Sequence, residues 1–152
     1  MSGIYLVVWD PVARHESRVL KATRGGYPHI TVAYTKNHLS WDALVRTAGR
    51  FMVYAGANVR LTISHATVNS FKDKPDHTRH DVLLMLDEKS AASVETMRGL
   101  LHTLDDWEKL VMRTPHVTHG TYETEAEAQA AAALLNEQLL PLEVVITGVT
   151  ID

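Results

Sequence analysis

Apolar residues along the chain recur at two periods, and the switches between them divide the sequence into elements. GIYLVVWD (3–10), HITVAYT (29–35), NVRLTISHATVNS (58–70), DVLLMLD (81–87), 115–122 and LEVVITGVTI (142–151) are rich in β formers and predict six strands. Between them, WDALVRTAGRFMVYA follows Ser40, with Leu44, Val45, Ala48, Phe51 and Met52 at helical spacing. AASVETMRGLLHTL follows Ser90, and EAEAQAAAALLNEQLL follows Thr124 with acids in its first turn, where the helix dipole favours them. Residues 11–27 read as a loop with room for a short helical turn, and 72–80 as a polar turn or loop. The order β, β, α, β, β, α, β, α, β predicts a single α+β domain over 1–152, its helices covering the outer faces of antiparallel or mixed sheets.

Composition narrows the function classes. The 152 residues suffice for one domain with a real core. No cysteine is present, which rules out disulfides and thiolate chemistry and suits a reducing, cytoplasmic setting (a host's cytoplasm if the chain is viral). No stretch approaches the ~20 apolar residues of a membrane span, and the N-terminal residues read as a strand, not a signal peptide. A net charge of −3 argues against a broad electropositive surface for long nucleic acid, but leaves a small phosphate-bearing ligand open.

The candidate chemistry lies in a repeated phrase. Pro28-His29-Ile30-Thr31 and Pro115-His116-Val117-Thr118 stand 87 residues apart, each opening a strand that leads through a polar segment to a helix. With nine histidines and threonine at one position in ten, roughly one His-x-Thr pair arises by chance. His65-Ala66-Thr67 also fits, as does His119-Gly120-Thr121. The shared proline, the shared branched residue and the strand context set the phrases at His29 and His116 apart. His65 continues the apolar row of Val59, Leu61 and Ile63, and is expected to be a hydrogen-bonded core or edge histidine.

At a period of two, His29 and Thr31 share one strand face, as do His116, Thr118, Gly120 and Tyr122, although His119 interrupts the apolar face of the second strand. Two half-buried strand histidines would be the plain structural reading. The chemical reading is a paired acid and base: phosphodiester cleavage in line needs a proton acceptor on one side of phosphorus and a donor on the other. Imidazole serves either role near neutrality, and threonine hydroxyls two residues on can hold the non-bridging oxygens. The compact metal signatures are absent; Asp76, His77, His80 and Asp81 form the best alternative cluster, in what reads as a solvated loop.

The two phrases resemble the signature of the 2H phosphoesterase superfamily, which carries one His-x-Thr/Ser motif in each of two lobes. The resemblance implies a bilobal fold of two pseudo-symmetric antiparallel sheets around a cleft, with His29, Thr31, His116 and Thr118 catalytic and no metal or other cofactor required. It covers the chain in element order and length, while its specific content is confined to those four residues. The substrate expected is a small nucleotide or short oligonucleotide: a cyclic di- or trinucleotide or 2′-5′-linked signal of the kind used in defence, or alternatively a 2′,3′-cyclic phosphate. A module that sequesters a nucleotide uncut is a further alternative. Candidate substrate contacts are Tyr122, Tyr5 and Trp9 for stacking, Arg24 in a flap with Gly25 and Gly26, and Glu143 for a base amino group. Tyr5 and Trp9 read equally well as core, and 24–26 as a plain turn.

Overall fold

A computed structural model describes residues 2–12, 18–21, 27–36, 38–104 and 107–152. Arg24, Gly25 and Gly26 lie outside the described residues. Six strands form: β1 (Ser2–Trp9), β2 (His29–Thr35), β3 (Arg60–Lys74), β4 (His77–Leu86), β5 (His116–Tyr122) and β6 (Leu142–Ile151). Three α-helices accompany them among the described residues: α1 (Trp41–Gly56), α2 (Glu88–Arg98) and α3 (Glu125–Gln138). All strand pairs are antiparallel, in the closed order β1-β2-β5-β4-β3-β6. The two expected sheets are thus present as β6-β1-β2 and β5-β4-β3, but joined along both edges. One seam, β3 with β6, runs over four residue pairs; the other, β2 with β5, is registered at Ile30 and Val117 alone.

The buried strand residues, among them Leu6, Val8, Ile30, Leu84, Val117, Val144 and Ile146, cluster with Phe51 of α1, Val94 and Met97 of α2 and Ala132 and Leu135 of α3. One row of each strand therefore packs outward under helices, which leaves the alternate, half-buried row on the concave face. In α1 the buried stripe is Leu44, Thr47, Phe51 and Ala55. Val45 and Met52, which share the helical spacing, lie on the exposed side, because a helix at 3.6 residues per turn buries only one stripe. Asn58, at φ 49°, ends the helix: Val59 N–H reaches back to the Tyr54 carbonyl, and asparagine tolerates the left-handed turn. Thr124 caps α3 by accepting from the Glu127 amide, as its position predicts. The cap of α2 is Asp87 and not the start at Ser90 that the sequence suggested; Asp87 accepts from the Ser90 amide, and its carboxyl is held below the usual range by Ser90.

Two readings are corrected. Residues 72–80 are not a loop: β3 and β4 continue past the ring as a two-stranded ribbon turning at Pro75 and Asp76, with Phe71 under the Arg79 guanidinium at 5.1 Å. Cross-strand pairing and that cation–π contact offset the polar composition. His65 does not continue the row of Leu61 and Ile63 either. The register slips between Ile63 and His65, so Ala66 takes the buried row and His65 is exposed. A one-residue slip transfers every following side chain to the other face.

Asn136 of α3 holds this bulge. Its carboxamide accepts from the Ala66 amide at 2.7 Å and donates to the Ala66 carbonyl at 2.9 Å, closing the edge that β3 exposes where β6 ends. Asn136→Ala removes both bonds and is expected to cost about 1–3 kcal/mol in denaturant unfolding, with accelerated hydrogen exchange at the Ala66 amide. Unchanged exchange there would show that the clamp contributes nothing.

Candidate active site

The site is built around the seam between β2 and β5. Ile30 and Val117 face each other antiparallel, and both are fully buried. Their flanking residues therefore turn together to the concave face, His29 on the side of Thr118 and Thr31 on the side of His116. The histidines occupy one diagonal of a quadrilateral and the threonines the other. Ideal strand spacings put the two histidine Cα atoms roughly 8 Å apart.

Both imidazoles are anchored alike. His29 Nδ1 lies 3.1 Å from the Tyr27 carbonyl and His116 Nδ1 lies 2.9 Å from the Thr114 carbonyl. In each case the acceptor is the residue two places earlier, the carbonyl that enters the bond to Pro28 or Pro115. Proline holds its predecessor extended, which sets the direction of that carbonyl. A carbonyl only accepts, so each Nδ1 carries the proton and donates, leaving each Nε2 free on the concave side.

The rest of the face follows from pairing. Tyr5 of β1 lies opposite Thr31 and Val7 opposite His29. On the other flank, Met85 of β4 lies opposite His116 and Leu83 opposite Thr118. The Tyr5 and Tyr27 rings meet His29 edge-on, at centroid distances of 5.2 and 6.0 Å. Tyr27 donates to Thr150 Oγ1 at 3.0 Å and Tyr5 to Asp152 at 3.3 Å. Burial and the Asp152 carboxylate push the Tyr5 phenol up to about 12, so it stays protonated through the neutral range.

His116 is held below the ordinary histidine range, chiefly because burial disfavours the cation. The bond to Thr114 and the charge of Asp81 oppose this, while Arg113 and His29 reinforce it. Asp81 is itself buried, clasped by both nitrogens of an Arg79 fork at 2.8 and 2.7 Å and by the Thr121 hydroxyl at 2.7 Å.

The other expected contacts lie elsewhere on the face. Trp9 and Tyr122 are half-buried and pack against the core. Tyr122 lies beyond a register shift in β5, opposite His80, with its ring over Gly120. Glu143 is ion-paired with Arg60 and stands five residues along β6 from Gly148, the partner of Val7, roughly 17 Å at strand rise. In the 76–81 cluster His77 pairs with Asp73, His80 with Ser70 and Arg79 with Asp81. Among the described residues no three His, Asp or Glu side chains converge as a metal site. Tyr27 and Arg113 were not among the expected residues, and Asp81 was expected only in the alternative cluster at 76–81; of the first two only Tyr27, next to Pro28, carried a sequence signal.

His119 belongs to the fold and not to the quadrilateral. It is buried, its Nδ1 2.6 Å from the Val19 carbonyl, and burial holds it below the usual range. The unfolded chain takes up protons near pH 6.5 while folded His119 and His116 resist, so unfolding free energy is expected to be full above about 6.5 and to fall as the pH drops below that value. Denaturant midpoints across that fall measure it, and a flat profile would contradict the burial of both groups.

A ring of two three-stranded antiparallel halves, clad by helices and split where β2 and β5 barely touch, is a fold the chain shares with solved structures. The solved structure of Kluyveromyces marxianus Usb1 with uridine monophosphate resembles the chain with a TM-score of 0.57 at 10% identity, covering 99% of this chain and 93% of that one. A second structure of K. marxianus Usb1 gives 0.54 at 12% identity, covering 99% and 92%. No family model and no curated protein matches the sequence. No helix among the described residues is long and apolar enough to cross a membrane.

Proposed function

We propose that the chain is a nucleotide phosphodiesterase in which His29 and His116 are the acid–base pair and Thr31 and Thr118 hold the phosphate. The observation that carries this reading is the duplicated anchoring: two imidazoles on adjoining strands, each with Nδ1 committed to a backbone carbonyl and Nε2 presented to the same face. A structural role would need no such repetition. The Usb1 structure that holds uridine monophosphate supports a nucleotide as the ligand class.

His116, kept neutral, is the proton acceptor in the first step. A ribose 2′-OH or a water loses its proton to His116 Nε2 as its oxygen bonds to phosphorus; the opposite P–O bond breaks, and the leaving oxygen takes a proton from His29. The threonine hydroxyls donate to the non-bridging oxygens, whose charge must be held throughout. No step requires a metal.

The preferred substrates are small: a cyclic di- or trinucleotide, or a 2′-5′-linked oligonucleotide of the signalling type, in keeping with the acidic net charge. A 2′,3′-cyclic phosphate at an RNA end or on a mononucleotide is the second reading, and the Usb1 ligand favours it because it is a single nucleotide. Chromatographic turnover of a panel of these compounds in EDTA tests the proposal. Loss of activity with EDTA, restored by metal, would shift the chemistry elsewhere; binding of a compound released intact would make the cleft a sequestering site.

The pH profile supplies an independent check. Because the base is depressed, the acid limb of kcat/KM is expected below pH 6.5, with a plateau at neutrality. A limb centred above 7 would exclude His116 as the base.

A further inference from the structure

The concave face does not end at His116 and Thr118. Across β4, Met85 lies opposite His65 and Leu83 opposite Thr67. The His65-Ala66-Thr67 phrase therefore extends the same two rows, two strands beyond His116 and Thr118, roughly 10 Å at ordinary strand spacing. This alignment depends on the bulge at Ser64 and on the Asn136 clamp at Ala66; without the slip His65 would point under the helices. Both side chains are exposed. Ser64 Oγ occupies His65 Nδ1 at 2.7 Å, which leaves Nε2 outward, as in the two motif histidines. The next carboxylate along these rows, Asp81, is already engaged by Arg79 and Thr121. Between the two phrases, half-buried Leu83 and Met85 form an apolar floor.

We infer that His65 and Thr67 form a second phosphate subsite, so that the cleft takes substrates with at least two phosphodiester groups, one at the central quadrilateral and the next at His65, with the intervening nucleoside on Leu83 and Met85. This rests on the phosphodiesterase reading of His29 and His116. It extends that reading by making oligonucleotides, linear or cyclic, better substrates than mononucleotides. Neither residue touches the reacting bond. Their contribution is to binding, one or two hydrogen bonds to an anion.

The test compares wild type with a His65→Ala/Thr67→Val variant on a cyclic dinucleotide and a linear trinucleotide, each carrying two phosphodiesters, and on a 2′,3′-cyclic mononucleotide. The expected result is a KM raised on the order of tenfold for the first two, with kcat within about twofold, and an unchanged KM for the mononucleotide. Equal effects on all three, no effect, or turnover of the mononucleotide alone overturns the subsite. If wild type cuts none of them, the central reading fails, and equilibrium binding of the same compounds decides the subsite separately. Weaker binding by the variant confined to the two-phosphate compounds upholds it; equal or absent binding overturns it. A denaturation midpoint matching wild type establishes that the variant is folded.

Discussion

Replacing His29 or His116 by alanine is expected to slow phosphodiester turnover by on the order of 10²–10⁴, the usual worth of a general acid or base, while the protein stays folded. Both side chains sit on the half-buried face with Ile30 and Val117 beneath them, so truncation removes little core. The double variant should lose little more than the worse single one, because a proton acceptor without its donor cannot complete the transfer. Steady-state kinetics beside a thermal melt checks this. Near-wild-type kcat in a folded single variant would remove the acid–base pair. Loss of folding in both would instead mark the imidazoles as structural, and their Nδ1 bonds as the reason.

The second large effect lies behind the site. Arg98 of α2 is 5% exposed; it donates from Nε to the Val32 carbonyl at 2.9 Å and from Nη2 to the Thr31 carbonyl at 3.2 Å, and pairs with Glu95 at 2.5 Å. Its position explains how β2 can stand apart from the segment leading into β5. The two touch at Ile30 with Val117 and again at Tyr34 with Val111. Between those contacts the guanidinium takes up carbonyls that a strand neighbour would otherwise satisfy. Arg98→Met should lower the unfolding free energy by about 2–4 kcal/mol, since buried carbonyls lose their donors, a large share of a typical domain's 5–15 kcal/mol. Arg98→Lys should not rescue it, because an ammonium cannot reproduce the planar fork. In whatever fraction remains folded, kcat should fall more than KM changes, because Thr31 loses its backing. A Met variant with wild-type midpoint and kcat would show that β2 needs no such support.

Much of this architecture is legible in the sequence for a plain reason: strand and helix periodicities are local, and His29, Thr31, His116 and Thr118 each lie within a strand whose alternation fixes their common face. The repeated proline pointed to the two strand openings, although its effect on the carbonyls of Tyr27 and Thr114 emerges only with the ring geometry. What local pattern could not show were departures from alternation. A polar stretch at 72–80 forms a ribbon because its cross-strand partners are its own neighbours. His65 leaves the apolar row because one extra residue at Ser64 is held by an asparagine 70 positions away.

By itself, then, the chain's sequence determined the elements, their order and the two matched phrases, since each depends on residues within a few positions of one another. The tertiary structure alone decided that β2 and β5 meet at a single pair, that Arg98 fills the gap beside it, and that the His65-Ala66-Thr67 phrase joins the same face. These depend on strand register and on side chains arriving from distant helices, and register is a property of pairs of strands, carried by neither strand alone.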